Sequence, residues 1–275
     1  MIELRNMSNE ITLIATEYHD VDLNLLLYRG KTGKSILLDT STAIQIKSII
    51  DNIGYFPDIA VISHAHLDHA GGSEYLHDHG TIVITHPVSA SLLSDLDTAI
   101  YSFFPKKYFK WIGEKESISF INLIKEELGN PKITSTQLNN ANPVTCFDAF
   151  GHVTGAIICR IDNVFFTGDE IQGTGIRDRN ETNSIPQISS IEDYLITIYK
   201  LINMKPEIII PAHNYLPNNT RVIEGSSTET FLYSSIEAVL KLLHLTASIL
   251  EERFLVGYDT LSNLITVFFQ LYLLL

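Results

Sequence analysis

Short apolar runs separated by turn residues dominate the first part of the chain. Three of them, at residues 11–15, 23–29 and 35–40, are strand-like, and a turn at residues 30–34 with two glycines separates the second from the third. Apolar runs bounded by glycine and polar residues are typical of β-strands joined by short turns. We therefore expect the chain to open with a β-meander.

The pattern then changes to an alternation of helices and strands. Four isoleucines at helical intervals predict a helix over residues 42–53, and a strand at 59–63, a helix after residue 72 and a strand at 81–85 follow. Further strands are expected at residues 133–138, 144–150, 156–161, 164–167 and 207–210. This alternation implies mixed sheets covered by helices, and it fits two sheets sandwiched between helices.

Two regions depart from this alternation. Between residues 69 and 152 lies an aromatic-rich stretch at 101–111. Aromatic side chains supply large, rigid apolar contact area, so an insertion at about residues 95–130 would form either a lid over a substrate pocket or a helical hairpin packed on the core. Residues 226–275 have helical spacing. We expect a domain over residues 1–225, with the inserted lid, and a C-terminal helical extension that acts as a cap or dimer element.

Four candidate metal ligands occupy six consecutive positions directly after the apolar run at residues 59–62: His64-Ala65-His66-Leu67-Asp68-His69. A strand that ends in a loop can turn His64 and His66 towards one point, and Asp68 and His69 towards a second point nearby. Imidazole and carboxylate are usual zinc ligands, and a catalytic site leaves a coordination position for water. The hypothesis is a two-metal hydrolytic centre.

Three more candidates lie downstream in a common setting. His152, Asp169 and His213 each come just after or within a strand-like apolar run. Ligands at strand ends are fixed by a rigid sheet and project into one cleft. Residues scattered at random would not share this setting, which favours one metal centre.

These residues resemble those of the metallo-β-lactamase-fold hydrolases, in the branch of glyoxalase II and the lactonases. The resemblance rests on the HxHxDH motif, on Gly71-Gly72 after it, and on the Gly-His, Thr-Gly-Asp and Pro-Ala-His segments that contain His152, Asp169 and His213. It covers about residues 10–215. It implies an α/β fold, namely an αββα sandwich of two mixed β-sheets flanked by helices, and a catalytic role for the domain at residues 1–225.

The resemblance also implies a ligand set and a cofactor. A first metal ion would be held by His64, His66 and His152, a second by Asp68, His69 and His213, and Asp169 would bridge the two. The expected cofactors are two divalent metal ions, with zinc first and manganese or iron as alternatives. Two ions that share a solvent molecule give a hydroxide nucleophile near neutral pH and polarise the scissile bond.

Three acidic residues in or near the predicted site have different expected positions and roles. Asp68 is expected to be catalytic, because a carboxylate oxygen beside the bridging water can accept its proton and pass it to the leaving group. The resemblance implies that Asp39 supports the metal loop by hydrogen bonding. Glu170 follows Asp169 directly, and adjacent strand residues point to opposite faces, so we expect it to face away from the metals.

Cleavage of an ester, lactone or thioester is the leading hypothesis, because it needs only the hydroxide and an apolar pocket. Many lactonases of this family have a tyrosine three residues after the bridging aspartate, where this chain has Gln172, so Tyr101 or Tyr108 would have to substitute. A glutathione thioester requires a basic patch, for which Arg177 and Arg179 are weak candidates.

Other activities use the same fold. Phosphodiesterases and RNA-processing nucleases have the same seven ligands, and an iron-dependent sulfur dioxygenase uses fewer of them. A β-lactamase with this motif usually lacks the bridging carboxylate and is exported, so Asp169 argues against that reading.

Composition narrows the expected setting. The chain has 275 residues, 45% of them hydrophobic, and a net charge of −13 without a long basic run, so a small-molecule substrate is expected rather than nucleic acid. The start lacks a signal-peptide pattern, and the apolar stretch at 264–275 is shorter than the roughly 20 residues that span a bilayer. We expect a cytoplasmic protein without a membrane span, with homodimer contacts through the insertion or the C-terminal helices. The two cysteines, Cys146 and Cys159, are expected to be buried and reduced.

Overall fold

The computed structural model describes residues 2–103 and 113–254, which form two mixed β-sheets flanked by helices. In the first sheet the strands follow one another in chain order, antiparallel from β1 to β4 and parallel from β4 to β6. These strands are β1 Glu3–Asn6, β2 Ile11–Tyr18, β3 Val21–Arg29, β4 Ser35–Leu38, β5 Ile59–Ile62 and β6 Ile82–Thr85. The expected meander therefore continues into a mixed sheet.

The second sheet has the order β11-β10-β9-β8-β7, in which only the β9–β10 pair is parallel. Its strands are β7 Thr145–Asp148, β8 Ile157–Ile161, β9 Val164–Gly168, β10 Ile208–Pro211 and β11 Ile223–Glu224. The helices are α1 Ile46–Ile53, α2 Leu67–Ala70, α3 Ser73–Asp78, α4 Pro87–Leu93, α5 Leu96–Phe103, α6 Glu114–Leu128, α7 Ile191–Met204 and α8 Ser226–Phe254. The predicted architecture of two mixed sheets flanked by helices is confirmed.

Strands β9 and β10 of the second sheet are apolar on both faces because each face is covered. On β9, Phe166 packs into the core that the two sheets share, and Phe165 packs into a second core under the helices. On the neighbouring strand β10, Ile210 packs into the shared core and Ile209 packs into the second core. Successive side chains of a strand point to opposite faces, so one continuous apolar run fills both cores.

The second core is closed by the two long helices. Tyr194 and Ile198 of α7 and Phe231 and Val239 of α8 are fully buried in it. Helix α7 begins after Ser190, whose hydroxyl accepts a hydrogen bond from the backbone N–H of Asp193, a typical N-cap. The sequence reading did not predict this helix.

The strand predicted at residues 133–138 is wrong. In its place the chain makes a single bridge between Ser135 and Ile84 and then a 3-10 helix at Leu138–Ala141. The segment has apolar residues only near its ends and polar ones between them, so it has too little apolar surface to extend the edge of the sheet.

The expectation of two reduced cysteines is also wrong. Cys146 on β7 and Cys159 on β8 are directly opposite each other in the antiparallel register and form a disulfide. Their Cα atoms are 4.1 Å apart. A count of two cysteines could not reveal the bond, because it depends on the register of two neighbouring strands.

The remaining expectations concern the insertion and the end of the chain. The aromatic side chains of residues 101–111, and with them the lid hypothesis, lie outside the described residues, as does the apolar stretch at 264–275. Helices α5 and α6 flank the gap, and α8 starts at Ser226; the division into two domains stays a prediction. Within the described residues, no helix is long and apolar enough to cross a membrane.

Candidate metal centre

The first cluster of candidate ligands lies beyond the carboxyl end of β5. The strand ends at Ile62, and the chain continues through Ser63 into the loop with His64 and His66. The short helix α2 then carries Asp68 and His69. A strand followed by one helical turn therefore places four candidate ligands within six residues.

The other three candidates come from the second sheet. Asp169 follows the last residue of β9, His213 lies two residues beyond β10, and His152 is in the loop between β7 and β8. Gly168, the last residue of β9, has φ +53°, and a Cβ there would lie 2.9 Å from the hydroxyl of Ser63. Glycine at this position lets the two sheets approach closely beside His64.

The seven side chains converge as two groups, each with ligand atoms within 4.8 Å of one another. The first group is His64, His66, His152 and Asp169, and the second is Asp68, His69 and His213. The tetrahedral geometry of zinc, with bonds of about 2.0–2.1 Å to nitrogen and oxygen, places neighbouring ligand atoms about 3.3 Å apart. The observed separations are 3.2 Å from His66 Nδ1 to His152 Nε2, 3.2 Å from His213 Nε2 to Asp68 Oδ2, and 3.4 Å from His69 Nε2 to Asp68 Oδ2. Both groups are therefore the right size for a metal ion.

Asp169 lies between the two groups. Its Oδ2 is 3.8 Å from His152 Nε2 and 3.4 Å from His69 Nε2, and its Oδ1 is 3.5 Å from His213 Nε2. One carboxylate thus faces histidines of both groups, which is the placement a bridging ligand requires.

Hydrogen bonds at the outer ring nitrogens orient four of the histidines. The Nδ1–H groups of His152 and His213 donate to the carbonyls of Gln187 (2.9 Å) and Asp22 (2.7 Å), and Nδ1 of His69 contacts Oδ2 of Asp39 at 2.6 Å. Nδ1 of His64 donates to the hydroxyl of Ser63, because that hydroxyl gives its own proton to Asp39. Each ring therefore turns Nε2 inward, the arrangement by which proteins orient metal-binding imidazoles.

Several nitrogen and oxygen atoms that face the candidate metal site have no hydrogen-bond partner in the protein. Among the described residues, Nε2 of His64, Nε2 of His69 and Oδ1 of Asp169 are buried without a hydrogen bond. Buried polar atoms are rarely left unpaired, and each such case calls for an explanation such as a bound ion. The donor set, the spacing and these unpaired atoms all fit two metal ions.

Comparison with known proteins agrees with this geometry. Residues 23–133, which include the HxHxDH motif, match the sequence model of the metallo-beta-lactamase superfamily. The match covers residues 23–133 only, and this part of the chain is similar to that superfamily. No curated protein matches the sequence.

Solved structures show the same fold over most of the chain. A metallo-β-lactamase from Erythrobacter litoralis aligns with a TM-score of 0.58 and 16% identity, covering 86% of this chain and 96% of that one. The metallo-β-lactamase from Pontibacter korlensis gives 0.53 and 16%, over 87% and 99% of the two chains, and DIM-1 metallo-β-lactamase gives 0.57 and 17%, over 86% and 98%. At this identity the likeness concerns the fold. Membership in the glyoxalase II or lactonase branch stays a prediction.

The two halves of this candidate metal site differ in their electrostatics. In the first group, burial and neighbouring imidazoles hold the pKa of His64 well below its ordinary value and lower that of His66 to about 3, which leaves neutral rings. In the second group burial also lowers the pKa of His69, but the carboxylates of Asp68, Asp169 and Asp39 raise it well above its ordinary value. His69 is surrounded by three carboxylates and His64 mainly by imidazoles, so the surroundings of His69 favour positive charge more strongly.

The expected support from Asp39 is confirmed. Besides its contact with His69, its carboxylate accepts hydrogen bonds from the backbone N–H of Ser63 at 2.7 Å and from the Ser63 hydroxyl at 3.0 Å. The side chain is completely buried. Asp39 therefore connects both ends of the motif loop, next to His64 and at His69.

Glu170 supports the site in a way that sequence reasoning missed. It is in neither ligand group, as expected, but its buried carboxylate accepts hydrogen bonds from the backbone N–H groups of Gly151 (2.8 Å) and His152 (2.9 Å). Burial raises the pKa of Glu170 to about 8, against the opposing effect of those two hydrogen bonds. Glu170 directly follows a buried apolar strand, and a buried carboxylate needs hydrogen-bond donors. This was the one feature of the sequence that could have indicated a structural role for it.

Gln172, at the position where many lactonases have a tyrosine, braces the loop around His152. Its side-chain amide donates to the carbonyls of Asp169 (2.8 Å) and Gln187 (3.2 Å) and accepts from the backbone N–H of Gln187 (2.8 Å). It thereby holds the carbonyl that orients His152. The substitute phenols considered for this role, Tyr101 and Tyr108, have side chains outside the described residues.

Two other phenols adjoin the candidate metal site and were not predicted. Burial and the charge of Asp169 raise the pKa of Tyr215, which is two residues beyond His213. Tyr18, at the end of β2, donates to Glu127 of α6 at 2.9 Å, and burial together with the charge of Asp68 raises its pKa. No local motif marks either tyrosine, because each reaches the site through the tertiary fold.

Proposed function

We propose that the chain is a dinuclear metal-dependent hydrolase that cleaves an ester, lactone or thioester bond. The observation that carries the proposal is the pair of ligand groups joined by Asp169, with inward atoms of His64, His69 and Asp169 that have no hydrogen-bond partner. Three histidines would hold one ion, and Asp68, His69 and His213 the other. Zinc suits this donor set, with manganese or iron as alternatives.

The protein's own residues have distinct tasks in this proposal. Two bound divalent ions would supply an activated water as nucleophile and a Lewis acid for the scissile carbonyl. Asp68 would hold one ion through Oδ2, which faces Nε2 of His213 and His69. The other oxygen of its carboxylate then remains a base that can take the proton of the attacking water and return it to the leaving group.

The charges around the site favour an uncharged reacting group. Three arginines lie on segments that adjoin His213, and each already has a partner: Arg179 pairs with Glu17, Arg221 pairs with Asp22, and Arg177 hydrogen-bonds the side chain of Asn183. A phosphodiester or the carboxylates of glutathione would have to displace these partners. We therefore favour a neutral acyl substrate over the nuclease-like alternative.

Metal analysis of protein purified without chelator, combined with a hydrolysis panel, tests the proposal. The panel contains an acyl-homoserine lactone, a glutathione thioester, a neutral aryl ester and its analogue with a carboxylate on the acyl chain, bis-p-nitrophenyl phosphate and a chromogenic β-lactam. We expect about two ions per chain and cleavage of acyl substrates, with the neutral ester preferred over an ester that has the same leaving group and a carboxylate on its acyl chain. Cleavage of the phosphodiester alone would replace the proposal with the nuclease-like function, and a single iron ion without hydrolysis would replace it with oxygen chemistry.

A further inference from the structure

His213 is oriented by the opposite sheet. It follows β10 of the second sheet, but its Nδ1–H donates to the carbonyl of Asp22, near the start of β3 in the first sheet, at 2.7 Å. A carbonyl can only accept, so this bond fixes the proton on Nδ1 and leaves Nε2 to face Asp68 and Asp169. The position of Nε2 therefore depends on how the β2–β3 hairpin is joined to the end of β10.

Polar contacts from the hairpin make that joint. The backbone N–H of Asn24 donates to the carbonyl of Ala212 at 2.7 Å, and its side chain donates to the carbonyl of Pro211 at 2.9 Å. The side chain of Asn214 donates to Oδ2 of Asp22 at 2.6 Å. The residues on both sides of His213 are thus fastened to β3.

Arg221 holds the two hairpin side chains in place. Its guanidinium donates to Oδ1 of Asp22, to Oδ1 of Asn24 at 2.7 Å, and to the carbonyls of Leu23 at 3.3 Å and Thr16 at 3.4 Å. Its side chain is 24% exposed, so the ion pair with Asp22 is shielded more than an ordinary surface pair. The planar fork of arginine spreads its donors over three nitrogens and so reaches acceptors on different sides, whereas lysine offers a single nitrogen.

We propose that Arg221 is a positioning residue that sets the affinity of the second ligand group, Asp68, His69 and His213, for its metal ion. The proposal rests on the proposed dinuclear function. The first group does not use this joint, because His152 is braced by Gln187, Gln172 and Glu170 instead. Loss of the guanidinium should therefore weaken binding of the ion in the second group and leave binding of the ion in the first group unchanged.

The test compares Arg221→Met with Arg179→Met. Arg179 pairs with Glu17 of the same hairpin and is 52% exposed, so its replacement removes the same charge without touching the joint at His213. Stepwise dissociation constants of Zn²⁺ are measured on metal-free protein by competition with a chromophoric chelator. Comparison with His213→Ala identifies the binding step that belongs to the second group.

Removal of a hydrogen-bond partner directly behind a metal ligand typically weakens metal affinity by about 10- to 100-fold. Arg221 acts through Asp22, one contact further from His213, so we expect a loss of about 10-fold, the lower end of that range, at the second step in Arg221→Met. The first step, and both steps in Arg179→Met, should match the unaltered protein. Arg221→Lys keeps the charge and should recover part of the loss. If circular dichroism shows that Arg221→Met does not fold, Arg221→Lys replaces it in the test. A smaller loss of affinity, confined to the second step, is then expected.

Three results would contradict these proposals, and they distinguish a failure of the role of Arg221 from a failure of the dinuclear function. Unchanged affinity at the second step in a folded Arg221 variant overturns the role of Arg221, and so does an equal loss at both steps. If the unaltered protein itself binds fewer than two ions, the dinuclear function fails, and the role of Arg221 fails with it.

Discussion

Replacement of Asp39 by Asn tests whether the buried carboxylate organises the metal loop. In the native protein the carboxylate accepts from the backbone and hydroxyl of Ser63 and contacts Nδ1 of His69 at 2.6 Å. An asparagine oxygen can keep the bond from the backbone N–H, but its NH₂ group would then face the N–H of His69. A hydrogen bond to a charged group contributes about 1.5–3 kcal/mol, so we expect the metal-free protein to lose about 2–3 kcal/mol of unfolding free energy.

The assay is urea unfolding of the protein with and without metal, together with chelator competition. The expected loss in stability corresponds to a melting temperature lower by about 4–12 °C. Because His69 would lose its orientation, we also expect metal affinity to fall by about 10- to 100-fold.

Asp58 provides a matched control. Its carboxylate accepts from the backbone N–H of Ser35 at 2.8 Å and from the Ser35 hydroxyl at 2.9 Å, the same pattern as at Asp39 but without a histidine. Asp58→Asn should lower stability and leave metal affinity unchanged. If Asp39→Asn binds metal as tightly as the native protein, or if both variants weaken binding equally, the reasoning about the metal loop is refuted.

Three other predictions follow from the site. Asp68→Asn should fold normally, as judged by circular dichroism, but lower the turnover number by about 100- to 10,000-fold because the proton acceptor is lost; unchanged turnover would eliminate the shuttle role. Glu170→Ala leaves the N–H groups of Gly151 and His152 without their acceptor and should cost about 2–4 kcal/mol in urea unfolding, whereas a cost below about 0.5 kcal/mol would contradict its bracing role. Chelation should abolish hydrolysis and remove about 2.7 kcal/mol of stability for each ion that was present at 100 times its Kd, with both restored by Zn²⁺; hydrolysis that persists after verified metal removal would rule out the metal-dependent mechanism.

The positions of the candidate ligands could be predicted because their pattern is local in the sequence. His64 to His69 follow a visible apolar strand, and His152, Asp169 and His213 repeat that context, so the positions could be chosen before their convergence was known. The contacts behind the ligands were predictable only where a family resemblance supplied them, as at Asp39. The carbonyl of Asp22 is 191 positions from His213, and any residue type provides a carbonyl. No sequence pattern therefore marks it.

Glu170 and the two cysteines show where sequence reasoning stops. Glu170 stays out of both ligand groups, as expected, but strand alternation is not the reason, because β9 ends at Gly168, where φ is +53°. The side chain of Glu170 points back to the loop of His152 because that loop offers two N–H donors to a buried carboxylate. Cys146 and Cys159 were judged by their number, whereas their bond follows from strand register.

The division of each ligand group between the two sheets has a consequence for stability. His64 and His66 come from the first sheet and meet His152 of the second, and Asp68 and His69 likewise meet His213. Because metal-binding free energy adds to folding free energy, each bound ion would tie the two sheets together. In the metal-free protein, the contacts of Asp22, Asn24, Asn214 and Arg221 keep His213 oriented before an ion arrives. A site whose ligands come from two sheets needs polar contacts between the sheets that form before the metal binds. Without them, part of the metal-binding free energy would be used to order the ligands.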